Sequence, residues 1–444
     1  MQIDDFAREV SQGALSHLAT GPAALDGLSS QCRLLAPSGE RVLLLDDVPK
    51  AAAGRDLVAW VSELVGEVRM VVVRATRAQV RLDEATIEST VAEVGRPALI
   101  VSLGSGTVTD LGKVVSARSG APLVAVQTAA SVNGFSDPLS VLVIGGAKRT
   151  KPSAWPSALI IDDRLVDAAP LRLNRSGVGD AIAIWSAPAD WYLACALGLD
   201  GPFLDEAVRP VLEAVRGLAD PDPDVARRAL VESLTVGGLV IGIADSTAPL
   251  SGSEHLTSHI LDMAAMARGV EHDLHGAQVG VATVVCTALW AEVRESCTVF
   301  EVPWAGLRYP DDLEQRVRET WAAIDPSGAL GEECWTAVDR KAAAWNAADK
   351  GECDRNRADV LADLFGYVGD PIRAAGTLRH WGASTRFSEL DSPVGRDDVL
   401  WTLRALPFMR DRLTLPDLLV MTGEWTDELI ERVLARAQAA GGGA

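Results

Sequence analysis

The sequence predicts an α/β domain built on a largely parallel sheet, followed by a second half that is mostly helical. Five short, unbroken apolar runs mark the first 165 residues: RVLLLDD (41–47), MVVVRA (70–75), ALIVSLG (98–104), PLVAVQT (122–128) and ALIIDD (158–163). Runs with no polar alternation suit strands covered on both faces. Amphipathic stretches lie between several of them, such as DLVAWVSELVGEV (56–68) and DEATIESTVAEVG (83–95). Strand–helix alternation of this kind implies a parallel sheet packed between helices.

After about residue 165 the texture changes. VARRALVESLTVGGLVIGIADS (225–246), DLEQRVRETWAAID (312–325) and TDELIERVLARAQAA (426–440) carry helical spacing, and no internal repeat is evident. The expectation is an α/β domain over 1–165 and a helical domain over 166–440, with a ligand-binding cleft between them. The terminal GGGA reads as a flexible tail.

Bulk composition narrows the function. A chain of 444 residues has room for two domains and a large core. It is 48% hydrophobic and 23% charged, as a soluble globular protein would be. A net charge of −20 argues against the basic face that a nucleic-acid partner requires. Six cysteines lie scattered without a CxxC pair, which suggests reduced thiols rather than a zinc ribbon or disulfide framework. MQIDDFAREV at the start lacks the apolar run of a signal peptide, and no apolar run reads as a bilayer span. The expected setting is the cytoplasm, with no membrane partner.

Three local features carry chemistry. Gly104, Ser105 and Gly106 follow a strand and precede a helix, where glycines and free helix N–H groups can cradle a phosphate. A single GSG is equally an ordinary tight turn, and its spacing is not the G-x-G-x-x-G fingerprint. Asp47 ends an earlier strand, where it could receive a ribose hydroxyl or simply face solvent.

Four of the six histidines, His255, His259, His272 and His275, fall within a single thirty-residue window. His255 and His259 are four apart and share a helix face. His275 opens the next helical stretch, where it could turn back toward them. Neutral imidazoles suit zinc, iron or nickel, and a catalytic site keeps three protein ligands and an open position. Asp180, just after Gly177 and Gly179, is the best candidate for a carboxylate ligand, although an aspartate at a helix start is equally an N-cap.

Taken together, GSGTVTD (104–110), TAASVNGF (128–135), SGVGD with the later ADW (176–191), GSEHLTSHILD (252–262) and HGAQVG (275–280) resemble the sn-glycerol-1-phosphate dehydrogenase family. That family sits within the larger group of iron-containing alcohol dehydrogenases and dehydroquinate synthase. The resemblance runs from about residue 40 to 435 and implies a dehydroquinate synthase-like fold, with a dinucleotide-binding domain and an all-α metal-binding domain. It implies that Asp180, His255 and His275 hold one divalent metal (zinc, iron or nickel), and that His259 sits against the substrate. Asp47, Gly104, Ser105, Gly106, Thr107, Val108, Thr128 and Ser131 would contact NAD or NADP. His259 and Asp180 would act in catalysis on a small polyol or ketone, and the protein would be a homo-oligomer. The implied reaction is reversible hydride transfer between the cofactor and a secondary alcohol or ketone.

The chain also departs from the family pattern. Gln127 replaces a proline, and Asn133 replaces an aspartate that contacts substrate in relatives. Asp137 replaces a serine near the nicotinamide, where it could repel a phosphorylated ligand, and Ile184 replaces a lysine. Two other readings stand beside the dehydrogenase: a dehydroquinate synthase-like cyclase that recycles its cofactor, and a nucleotide-binding homologue without turnover.

Overall fold

The computed structural model describes residues 3–74, 80–144 and 147–444. The chain clusters into two compact units: Met1–Gly177 with Glu213–Ser246, and Val178–Leu212 with Thr247–Ala444. The long helix Pro223–Ala244, which its texture groups with the helical half, therefore belongs with the sheet.

The first unit is built on a six-stranded parallel sheet. Its order is His17–Gly21, Ala158–Asp162, Leu123–Gln127, Leu99–Gly104, Arg41–Asp46 and Arg69–Val73. Side chains alternate between two apolar cores, as the twofold repeat of a strand requires. Leu43, Leu45, Val101, Leu103, Val124 and Val126 enter one core. Val42, Leu44, Val71, Ile100 and Leu123 enter the other. All five apolar runs become strands, with ends shifted by one or two residues; Ala75, the last residue of MVVVRA, lies outside the described residues.

The strand His17–Gly21 lacks a sequence signal for a physical reason. It lies at the sheet edge, pairs only with Ala158–Asp162, and buries little of its length, so its sequence HLATG needs no apolar run. An antiparallel hairpin, Leu139–Ile144 with Ala147–Pro152, was likewise not foreseen. The covering helices Leu57–Val65 and Glu84–Val94 begin at aspartate caps, Asp56 accepting from Ala59 N at 2.8 Å and Asp83 from Thr86 N at 2.9 Å.

Among the described residues, the second unit is built of helices joined by loops, with one isolated β-bridge between Arg386 and Gly443. Its helix His275–Ser296 is long and apolar enough to cross a membrane, contrary to the sequence expectation, but 89% of its apolar window is buried inside the protein. The terminal GGGA is also not a loose tail. Gly443 N donates to Thr385 O at 2.8 Å, and Phe387 N donates to Gly443 O at 2.9 Å. Glycine is what permits this docking: Gly441 and Gly443 both have φ of 95°, and a β-carbon on Gly442 would lie 2.7 Å from Thr385 O. Gly442→Val should therefore undock the terminus, seen as faster amide exchange at Gly443 and Phe387 with the rest of the helical unit unchanged.

Candidate active site

At the carboxyl end of the sheet, strand order reverses between Arg41–Asp46 and Leu99–Gly104, which pair with Leu45 opposite Leu103. Such a reversal opens a crevice where α/β sheets bind ligands. Asp47 follows the first of these strands and is exposed, while Gly104, Ser105, Gly106, Thr107 and Val108 turn from the second into the helix Gly106–Ser119. Thr128 follows the third strand, Leu123–Gln127, and its N–H donates to Gly104 O at 3.0 Å. Ser131 is buried on the loop beyond it. All eight residues expected at the cofactor thus gather at the ends of three neighbouring strands or just beyond them.

The two glycines of the turn are required by packing. A β-carbon on Gly104 would lie 2.4 Å from Val108 Cβ, and one on Gly106 would lie 2.7 Å from Val132 Cγ2. Ser105, at the helix N-cap, makes no side-chain capping bond, so the helix start is left to an acceptor that the turn can admit at close range.

The loop after Thr128 corrects one expectation. Asp137 is not poised to repel a phosphate, because it is buried against Lys113, with Nζ 2.9 Å from its Oδ1. Lys113 is fully buried and also contacts Asp110 at 3.0 Å and the carbonyls of Gly134 and Leu139. Burial pushes the Asp137 carboxyl up to about 6, with Lys113 pulling it down and Asp110 pushing it further up. Gln127 is also engaged, donating from Nε2 to Thr109 Oγ1 at 2.7 Å. Asn133 lies half-buried on the same loop, its carbonyl accepting from Ser136 Oγ at 3.2 Å.

In the second unit the histidine window folds into one centre. Ligand atoms of Asp180, His255 and His275 all lie within 4.8 Å of one another. The end of one helix, Leu171–Ala181, and the start of another, His275–Ser296, make this possible. A β-carbon on Gly179 would lie 2.0 Å from Gly276 O, so only glycine lets the helix bearing Asp180 close on the first turn of His275–Ser296. His255 lies one turn into the helix Ser253–Arg268, its Nε2 at 3.4 Å from Asp180 Oδ1 and its Nδ1 at 3.0 Å from Glu254 Oε1. Burial alone would lower the His255 pKa, but the two carboxylates outweigh it and raise it to about 9. The pocket thus attracts positive charge, and two imidazoles with a carboxylate form a donor set that suits a divalent ion.

His259 lies one turn beyond His255 and stacks on His275, with ring centroids 5.2 Å apart. A second group, His259, Asp262 and His275, also brings its ligand atoms within 4.8 Å. His272, on the loop between the two helices, places its Nδ1 3.1 Å from Asp262 Oδ1. Asp190 is structural. It accepts from Ser253 N and Oγ, both at 2.8 Å, and from Leu415 N at 2.9 Å. Ile184 is wholly buried, so that position now belongs to the apolar core of this unit. Sequence reasoning missed Lys113, Glu254, Ser258, Asp262 and Gln278. The available signal was their polarity inside helices that are buried nearly all round.

The comparisons with known proteins agree with this architecture. Residues 20–170 match the family model described as iron-containing alcohol dehydrogenase. A probable glycerol dehydrogenase from Sinorhizobium meliloti superposes with a TM-score of 0.57 at 16% identity, covering 96% of this chain and 97% of the other. Maleylacetate reductase from Rhizobium sp. gives 0.53 at 17% identity, over the same shares of each chain. In sequence, the glycerol-1-phosphate dehydrogenase [NAD(P)+] of Methanosarcina acetivorans is 30% identical over 293 residues, 64% of this chain and 80% of that one. The corresponding Bacillus licheniformis enzyme is 30% identical over 255 residues, 56% of this chain and 63% of that enzyme's length. Fold and donor set define the class: an alcohol dehydrogenase of the iron-containing type. Within that class, the chain belongs to the glycerol-1-phosphate dehydrogenase family.

Two outcomes follow from this geometry. Gly179→Ala should push the end of Leu171–Ala181 away from the start of His275–Ser296 and weaken zinc binding by more than tenfold, read by chelator competition. Lys113→Met leaves two buried carboxylates without their cation and should cost about 3 kcal/mol in urea unfolding at pH 7.5. The loss should shrink at pH 5. The folded pKa of Asp137 lies above its unfolded value, so its contribution to stability is greatest at acid pH and is lost as pH rises through about 6.

Proposed function

We propose that this chain, an NAD(P)-dependent alcohol oxidoreductase by family, interconverts a small secondary alcohol and its ketone. The first candidate is the glycerol 1-phosphate on which its relatives are named to act. The observation that carries the reading is the buried meeting of Asp180, His255 and His275. A divalent ion held by these three residues would supply Lewis acidity to the alcohol or carbonyl oxygen. A nicotinamide dinucleotide would accept or return the hydride.

The chain's own residues have distinct tasks. Asp180 contributes the charged ligand, and His255 and His275 the neutral ones. His259, on the same helix face as His255 and stacked on His275, contacts the substrate. The turn 104–108 with Thr128 and Ser131 receives the dinucleotide, and Asp47 receives its ribose. A carboxylate at 47 would repel a 2′-phosphate, which favours NAD over NADP. Asn133 faces a polar part of the substrate. The six free cysteines support a reducing, cytoplasmic setting.

The test is turnover of metal-reconstituted protein with NADH or NADPH. The panel is a set of small ketones and their phosphate esters, including the ketone formed by oxidising glycerol 1-phosphate at carbon 2. Asp180→Ala and His255→Ala are expected to abolish both metal content and turnover. His259→Ala should keep the metal and lower kcat/KM by at least a hundredfold. Asp47→Ser should narrow the preference for NADH over NADPH by about tenfold. Wild-type metal content and turnover in both ligand variants would sink the assignment, and cofactor recycled without net change would point to the cyclase reading instead.

A further inference from the structure

With Asp180, His255 and His275 as the proposed ligands, an imidazole binds a metal only through a nitrogen that carries no proton, and each ring has two. For His275 the neighbouring side chains decide which. Ser258 lies on the buried face of Ser253–Arg268, and its Oγ is 2.8 Å from His275 Nδ1 and 2.7 Å from Gln278 Oε1. Ser258 is fully buried and Gln278 is 2% exposed. A serine hydroxyl has one proton to give, and an amide oxygen can only accept. The Ser258 proton therefore goes to Gln278 Oε1, and Ser258 Oγ must accept from His275 Nδ1–H. In a neutral ring that leaves the lone pair on Nε2.

We propose that Ser258 and Gln278 are a positioning pair that holds His275 in its Nδ1–H tautomer and aims the Nε2 lone pair at the metal. His255 follows the same logic with a different partner. Its Nδ1 is taken by Glu254 Oε1, which is itself fixed by Gly252 N at 2.7 Å, while Ser186 Oγ holds Oε2 at 2.7 Å. That leaves Nε2 toward Asp180. One ring is thus oriented by a carboxylate and the other by a neutral hydroxyl–amide relay. A neutral relay orients His275 without adding a third negative charge beside Asp180 and Glu254. Partners of this kind commonly govern metal affinity by 10- to 100-fold.

The inference rests on the metal reading above, and the experiment separates the two. Zinc affinity of the full chain is measured by chelator competition, and the ring protons of the zinc-loaded wild type are located by long-range 15N–1H NMR. Ser258→Ala and Gln278→Leu are expected to raise the zinc Kd by 10- to 100-fold, whereas Ser258→Thr and Gln278→Glu stay within threefold. Thermal unfolding checks that each variant folds. In the wild type, His275 should show its proton on Nδ1. A proton on Nε2, or Ser258→Ala binding zinc within twofold of wild type, overturns the relay while leaving the metal site standing. Wild-type protein that takes up no zinc overturns the metal reading itself, and the relay with it.

Discussion

The contact of Gly179 with the first turn of His275–Ser296 is the constraint on which the metal-capable centre depends. Asp180 and His275 are 95 residues apart and sit on different helices, the last turn of Leu171–Ala181 meeting the first turn of His275–Ser296. With a β-carbon 2.0 Å from Gly276 O, no residue but glycine permits that approach. Gly280, one turn on, meets the same segment: its β-carbon would lie 2.8 Å from Gly179 Cα. Glycines at the end of one helix and the start of the other thus replace side-chain packing with backbone contact, and the candidate ligands beside them are brought within coordinating range. A catalytic constellation requires such a rigid base, because its geometry must hold to a fraction of an ångström.

Around this contact, buried charge is answered group by group. An unpaired buried carboxylate is expensive, and several here are matched to donors already fixed in position. Asp190 draws on the start of Ser253–Arg268 and on Leu415 N, and it ties together segments distant in sequence. Asp417 is held by Lys341 at 2.6 Å and by Thr414 N at 2.9 Å. In the other unit, Lys113 gathers Asp110, Asp137 and two carbonyls around a single ammonium group. His255 differs in kind. Its two carboxylate neighbours draw a proton onto the ring, at the place where the donor set would otherwise receive a cation.

The fold class was legible because the parallel sheet is buried on both faces, and burial on both faces writes itself as unbroken apolar runs. The edge strand His17–Gly21 was not legible, since a strand that buries little needs no such run. The candidate metal-binding histidines were legible for a chemical reason: histidine is rare in this chain, and four of its six copies fall in one window. Their partners were not. Glu254, Ser258 and Gln278 are ordinary residues of amphipathic-looking segments until the helices prove to be buried over residues 253–265 and along nearly all of 275–293. Burial turns each polar group there into a question of where its hydrogen bonds go. Similarly, Asp137 read as an intruding charge only while Lys113, 24 residues earlier, was not known to face it.

The same reasoning alters what the departures from the family pattern mean. Gln127 is occupied by Thr109, Asp137 by Lys113, and Ile184 by the apolar core. Three of the four substitutions are thereby absorbed into the structure of their own units, and none of the three leaves a side chain arranged to receive a ligand. Asn133 is the exception in chemical type. Exchanging a carboxylate for an amide keeps one acceptor and adds two donors. A carboxylate can only accept hydrogen bonds, from O–H or N–H groups, whereas an amide can also donate them. The change at 133 therefore alters hydrogen-bonding type with little change in size, whereas the other three side chains are taken up by neighbours in their own units.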